Sequence, residues 1–244
     1  MPLQESLDLG ASYDAWPFYV VCDVSQSMWH KNWHPNESLS PHYIMNSSFA
    51  GMMEAIDRDI SARHIAHLSV IAFHNMATVV TPLCEIADGA PTAPIYTLPK
   101  GWQTDYADVF RKLGTVIRQD TARLTEQGRH VKGPAVFFIT DGQPEVGGKR
   151  QADEVWLRER DKLMDPQFPY RPRIIALGLG AVDERTLSRI ATDDPAGAAC
   201  IADTGATPAD LLRSIIEIII FSVTHSSASG SFVFETPQGM RRVV

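Results

Sequence analysis

The sequence predicts an α/β fold: a doubly wound, mostly parallel, Rossmann-like sheet with one antiparallel edge strand and helices on both faces. Strand-like and helix-like segments alternate along most of the chain, which is typical of parallel strands joined by helical crossovers. Two segments, WPFYVVCDV (16–24) and PAVFFITDG (134–142), are almost continuously apolar, as expected of strands buried on both faces. HLSVIAF (67–73) and ATVVTPL (77–83) are separated by only three residues, which predicts an antiparallel hairpin at an edge.

The remaining elements follow from apolar periodicity and turn residues. Apolar side chains recur at helical spacing over residues 43–62, and a loop rich in proline and glycine covers 84–103. In chain order, the further predictions are a helix at 105–126, a polar helix at 150–164, a strand at 173–180, a short helix at 183–192, a strand at 198–202, a long apolar helix at 208–224 and a short strand at 231–236.

The domain organisation that we expect is simple. A chain of 244 residues can bury a large core, and it shows no internal repeat. We predict an N-terminal extension at 1–15, one domain at 16–225 and a C-terminal tail at 226–244. Because the last helix is apolar on several sides, either this tail or a partner must cover it, and we favour the tail.

Composition and charge argue against several classes of protein. The net charge of -7 disfavours nucleic acid as a partner, since no excess of basic residues is available for phosphates. Three cysteines without a CxxC pair indicate neither a disulfide framework nor a zinc knuckle. The N-terminus lacks the features of a signal peptide, and the most apolar segment, 215–223, is short for a bilayer and contains Glu217. We therefore expect a cytoplasmic protein without a membrane span.

Oxygen-bearing side chains follow the two most apolar strands. Asp23, Ser25 and Ser27 alternate along the chain, so their side chains would converge if the segment stays extended. Asp141 ends the second strand, and the two strands, both central, are expected to be neighbours. Ligands bind at the carboxyl ends of such strands. The cluster suits a hard divalent cation such as Mg²⁺, although a nucleophile or a merely capped turn would use the same residue types.

These segments resemble a known family. DVSQSM and FFITDGQP look like the two signature segments of von Willebrand factor A (vWA) domains, and the resemblance extends over roughly residues 16–230. It implies a metal-ion-dependent adhesion site formed by Asp23, Ser25, Ser27, Asp141 and a threonine from a second loop. Thr104 is the preferred threonine, although Gly101 stands three residues before it where the family usually has two. Thr97 is the alternative.

The resemblance also implies a function. A bound Mg²⁺, or alternatively Mn²⁺ or Ca²⁺, would keep one open coordination position that an Asp or Glu of a partner protein completes. The motifs look most like those of the intracellular bacterial tellurium-resistance group. This implies a stress-response setting, with a protein kinase or phosphatase of the same system as a possible partner.

Four side chains are candidates for partner contact. Trp29 and Trp33 belong to a long segment, 29–42, that follows the metal loop. Their side chains could equally anchor a partner or pack back on the body of the protein. Trp102 lies two residues before Thr104. Gln143 follows Asp141 by two residues and completes the set.

Two other functional classes use the same residues. A metal-dependent hydrolase or phosphatase would need a general base, for which Asp105, Glu145 and His30 are candidates without a motif around them. The GxSxG and Walker-type motifs of other enzyme classes are absent, so we expect a non-enzyme. In a scaffold protein, by contrast, the metal would be purely structural.

Overall fold

A mixed sheet forms the centre of the molecule. The computed structural model describes residues 14–29, 39–88, 101–180, 182–193, 195, 197–203 and 205–243. The strands of the central sheet are β1 (Asp14–Asp23), β2 (Ala66–Phe73), β3 (Ala77–Glu85), β4 (His130–Val131), β5 (Ala135–Thr140), β8 (Arg173–Gly178), β9 (Ala198–Ala202) and β10 (Met240–Arg242), whereas β6 (Glu145–Val146) and β7 (Lys149–Arg150) pair with each other in a separate hairpin. The order across the sheet is β10-β9-β8-β5-β1-β2-β3, and β4 adds a short pairing to β1.

The central strands are parallel. β1 lies between β2 and β5 and pairs in parallel with both, which confirms that the two most apolar segments are neighbours. β8 and β9 extend the parallel region, and β3 pairs with β2 in antiparallel fashion as predicted. The α/β, doubly wound architecture predicted from the sequence is therefore present.

The end of the chain differs from the prediction. Residues 231–236 form no strand; instead, Phe232 and Phe234 pack against one of the two core layers. A turn that includes Gly239, with a φ of 77°, then leads into β10, which pairs antiparallel with β9. The sheet thus has a second antiparallel edge strand. It lies later in the chain than the predicted strand, because the aromatic side chains of 231–236 pack on the core instead.

In the described part of the chain, five α-helices cover the sheet: α1 (Pro41–Asp57), α2 (Tyr106–Glu126), α3 (Asp153–Met164), α4 (Glu184–Ile190) and α5 (Pro208–Ser229). Alternation along β1 explains the two layers, since successive side chains of a strand point to opposite faces. Phe18 and Val20 face a core layer shared with α1 and α5. Tyr19 and Val21 face the other layer, shared with α2, α3 and α4.

Helix α5 is longer than predicted and passes the predicted domain boundary at 225/226, which lies inside it. The division of the chain at that point stays a prediction. By length and composition alone, α5 could cross a membrane. Half of its most apolar stretch of 18 residues is buried inside the fold, and core helices of soluble proteins can be equally long and apolar.

Candidate metal centre

The loop after β1 is a tight turn. The backbone N–H of Ser25 donates to Asp23 Oδ1 at 2.9 Å, and a 3₁₀ turn follows at Gln26–Trp29. This turn, rather than the extended segment expected from the sequence, brings the Ser25 and Ser27 hydroxyl oxygens to 3.1 Å from each other. Asp is a common start for such turns because its side chain can accept from the backbone two residues later. Met28, which is fully buried, anchors the turn in the core.

The ends of β1 and β5 are joined through side chains. Ser27 Oγ donates to Asp141 Oδ1 at 2.8 Å, and Thr140 Oγ1 donates to Asp23 Oδ2 at 2.8 Å. Because the two strands are parallel neighbours, their carboxyl ends reach the same edge of the sheet. Four predicted ligands, Asp23, Ser25, Ser27 and Asp141, therefore lie in one hydrogen-bonded cluster.

Thr104 lies beside this cluster. Its backbone exchanges two hydrogen bonds of 3.0 Å with Glu145, in the segment that follows Asp141. A Cβ placed on Gly142 would be 3.7 Å from Thr104 Oγ1, so the hydroxyl borders the turn that carries Asp141. The alternative ligand, Thr97, lies outside the described residues.

The two carboxylates are buried together. Asp23 has no exposed surface and Asp141 is 3% exposed. Burial raises the pKa of both groups, and the charge of Asp23 raises the pKa of Asp141 further. In addition, Asp141 Oδ2 is buried without a hydrogen-bond partner, a costly state for a carboxylate oxygen. A cation bound here would offset the repulsion between the two carboxylates and give Asp141 Oδ2 a partner.

The residues fit a hard divalent cation. Carboxylate and hydroxyl oxygens are the ligands that Mg²⁺, Mn²⁺ and Ca²⁺ prefer. Among the described residues, no three His, Cys, Asp or Glu side chains form a group that could hold a metal ion. A site at Asp23 and Asp141 therefore depends on hydroxyl oxygens to complete its ligand set.

Two residues outside the predicted ligand set, Tyr106 and Thr140, support the site. The hydroxyl of Tyr106, in the first turn of α2, donates to the carbonyl oxygen of Gly142 at 2.9 Å and lies 3.0 Å from Thr140 Oγ1. Thr140 in turn holds Asp23. Thr140 could have been found from the sequence, because it directly precedes Asp141 in the TDG segment. No local pattern points to Tyr106.

The predicted partner contacts differ in exposure. Trp102 is 70% exposed beside the site. Trp29 is half-buried: its indole donates to the carbonyl oxygen of Val24 at 2.8 Å and stacks on His42 at 4.0 Å, as in the alternative where it packs on the body. Gln143 is half-buried and accepts from Thr186 Oγ1 at 3.3 Å. Trp33 lies outside the described residues.

No protein-family model matches the sequence, and a comparison with curated proteins gives no match. Among solved structures, a von Willebrand factor type A protein from Catenulispora acidiphila is similar, with 16% identity and a TM-score of 0.57 over 87% of this chain and 43% of that one. Proximal thread matrix protein 1 from the mussel byssus, with a zinc-occupied MIDAS motif, has 15% identity and a TM-score of 0.53 over 86% and 48%. The PilB minor pilin from Streptococcus sanguinis has 12% identity and a TM-score of 0.60 over 88% and 63%.

These likenesses concern the fold. The chain spans about half the length of the first two proteins and less than two thirds of the third. The similarity to the vWA protein extends over 87% of this chain, which has a mostly parallel sheet with helices around it. This chain therefore has the α/β, Rossmann-like fold of von Willebrand factor A domains.

Proposed function

We propose that this chain is a metal-ion-dependent protein-binding module. A divalent cation would be held by Asp23, Ser25, Ser27, Thr104 and Asp141, and an Asp or Glu of a partner protein would complete its coordination. With one oxygen from each residue, the set supplies five ligands. Mg²⁺ requires six, so at least one position is left for water or a partner.

One observation carries this proposal: the buried, unpartnered Oδ2 of Asp141, next to a second buried carboxylate at the carboxyl edge of the central strands. A loop that only needed capping would be satisfied by the hydroxyls already present. A carboxylate oxygen left without a partner in this position indicates a ligand with positive charge.

The cation that we propose is Mg²⁺, with Mn²⁺ or Ca²⁺ as alternatives. The solved structure of the mussel protein has zinc in its MIDAS motif, which supports a divalent cation without fixing its identity. All the residues proposed as ligands here offer oxygen, which favours hard cations over zinc.

The biological setting is a finer proposal and rests on the sequence motifs alone. It places the protein in the cytoplasm, in a bacterial stress response of the tellurium-resistance type, with a protein kinase or phosphatase as a partner. The similar structures reported above are of a matrix protein, a pilin and a vWA protein, and they lend this setting no support.

The alternative function, a metal-dependent hydrolase or phosphatase, needs a general base near the metal. Asp105 is engaged in capping: its Oδ1 accepts from the N–H of Asp108 at 3.0 Å and from Gln151 Nε2 at 2.8 Å. Glu145 is exposed, and its backbone pairs with that of Thr104. His30 lies outside the described residues. Hydrolysis of p-nitrophenyl phosphate that requires both Mn²⁺ and Asp141 would replace our proposal with this one.

The proposed function is tested by thermal unfolding with and without Mg²⁺ or Mn²⁺, after chelator treatment. At a hundredfold excess over Kd, binding should add about 2.7 kcal/mol of stability, a shift in melting temperature of about 5–10 °C for a chain of this size. Asp141→Asn should lose the shift, and Asp120→Asn, which removes a carboxylate outside the site, should keep it. Equal shifts in the two variants would contradict the proposed site.

A further inference from the structure

An exposed apolar surface borders the candidate metal centre on one side. It consists of the β2–β3 turn, residues 74–76, and the segment 101–103, and we call it the rim. Trp102 and Met76 are its large apolar side chains, 70% and 56% exposed. The rim carries no Asp, Glu, Lys or Arg.

The rim is next to the metal centre by strand pairing and by sequence. Phe73, the last residue of β2, pairs with Asp23, and its carbonyl oxygen accepts from the N–H of Val24 at 2.8 Å. The β2–β3 turn therefore begins beside the loop that carries the metal ligands. On the other segment, Trp102 precedes Thr104 by two residues.

The backbone of the rim is held in place. Asn75 Oδ1 accepts from the N–H groups of Trp102 and Gln103 at 2.9 and 3.4 Å. The carbonyl oxygen of His74 accepts from the N–H of Asp105 at 2.9 Å. Gly101 is pressed against the His74 ring, which would lie 2.1 Å from any Cβ at that position. These contacts anchor the chain on both sides of an indole that remains largely in water.

An exposed indole on a fixed backbone is suited to contact with another surface. Large aromatic side chains on a fixed backbone lose little conformational entropy on binding, and tryptophan is enriched among the residues that dominate binding energy. On the opposite side of the centre, the turn after β5 carries the charged residues Glu145, Lys149 and Arg150. Val146 in this turn is also exposed, at 40%, but it is smaller than the Trp102 indole and stands among these charges, so the rim offers the larger apolar surface of the two.

We infer that the partner segment carries an acidic residue with a bulky apolar side chain two positions away, the carboxylate binding the metal and the apolar group packing on Trp102 and Met76. This inference rests on the proposed function. Side chains two residues apart on an extended peptide point the same way and are about 7 Å apart, so one face of such a peptide presents both groups to this edge of the sheet.

The test uses fluorescein-labelled peptides GFGDGFG, GGGDGGG and GFGNGFG, titrated with the full chain in saturating Mn²⁺ and in EDTA. We expect GFGDGFG to bind about tenfold more tightly than GGGDGGG in Mn²⁺, since an anchor residue contributes at least this much. GFGNGFG should not bind measurably, and EDTA should abolish binding. Trp102→Ala should remove the tenfold advantage and Met76→Ala part of it, whereas Ile60→Ala, at an exposed apolar position outside the rim, should have no effect.

Equal affinity for GFGDGFG and GGGDGGG would overturn the role of the rim and leave the metal–carboxylate proposal intact. Absence of binding to either peptide, in a protein that Mn²⁺ stabilises against heat, would overturn the inferred partner and leave the metal site. Absence of the Mn²⁺ stabilisation would instead count against the proposed function itself. Metal-dependent dimerisation of the wild type in sedimentation experiments, lost in Trp102→Ala, would identify a second copy as the occupant and refute the inference.

Discussion

At the scale of single residues, Asp141 is the costly group in the metal-free protein. It is buried beside another carboxylate, and one of its oxygens has no hydrogen-bond partner. Desolvation favours the protonated form of each acid, and the negative charge of Asp23 adds to this for Asp141. The fold thus holds two groups in a state that water would not favour, and a divalent cation is the natural counter-charge.

The metal-free protein should therefore lose stability as the pH rises. The pKa of Asp141 is raised to about 8 in the folded state, above the ordinary value of about 3.9. Between these values the folded state binds more protons than the unfolded state, so the free energy of unfolding falls with increasing pH. Urea unfolding in EDTA between pH 5 and 8.5 checks this, and Asp141→Asn should give a flatter profile than the wild type. A wild-type profile that rises over this range would contradict it.

Much of the residue-level prediction came from two short motifs. Asp and Ser at the ends of apolar strands could be located because strand ends in parallel sheets share one edge. Their hydrogen bonding could not, because it depends on a 3₁₀ turn that follows Asp23. Tyr106 was missed because its hydroxyl reaches Gly142, 36 residues away in sequence, through tertiary packing. That these residues bind metal stays a prediction.

At the scale of elements, the start of α2 and the segment after β5 form one connected unit. The backbones of Thr104 and Glu145 pair, and Tyr106 bonds to the carbonyl oxygen of Gly142. Gln151 donates to Asp105 and accepts from the N–H of the residue after Tyr106. The segments that carry two of the proposed ligands, Thr104 and Asp141, are therefore tied together by hydrogen bonds.

We expect Tyr106→Phe to weaken this unit. The substitution removes a buried hydroxyl and leaves the carbonyl oxygen of Gly142 without that donor, a loss of about 1–3 kcal/mol in the free energy of unfolding. The metal Kd should rise roughly tenfold, as for other residues that orient ligands without touching the metal. Tyr170→Phe is the control, since its hydroxyl contacts Thr125 at a partly exposed site. Unchanged Mn²⁺ affinity in Tyr106→Phe, measured calorimetrically, would show that the hydroxyl does not position the site.

Elements were predicted best where apolar runs are long and least well at the end of the chain. The bounds of β9 agree with the predicted strand, and those of β2 and α2 lie within one residue of their predictions. The predicted strand at 231–236 was wrong because Phe232 and Phe234, which fit a strand pattern, are used to cover the core. Local propensity cannot distinguish these two uses of an aromatic residue.

At the scale of the whole molecule, the candidate site joins three segments that are far apart in sequence: the turn after Asp23, the segment before α2 and the turn after Thr140. All three lie at the carboxyl edge of the sheet, whereas the packing of β10 on β9 occupies the far end of the strand order. A cation bound to all three segments would stabilise them together.

Hydrogen exchange followed by mass spectrometry should show this coupling. A bound ligand slows exchange of a locally opening amide only if the ligand must dissociate before that opening. For amides that exchange through global unfolding, the ligand raises the free energy of opening by the same amount, RT ln(1 + [L]/Kd), at every position. We expect Mn²⁺ to slow exchange of fast-opening amides in 24–28, 101–105 and 141–145, and to leave those in 231–239 unchanged. Asp141→Asn should lose the effect in all three segments. Protection confined to 24–28 and 141–145 would remove Thr104 from the ligand set, and protection spread evenly over the chain would mean that the metal acts only through global stability.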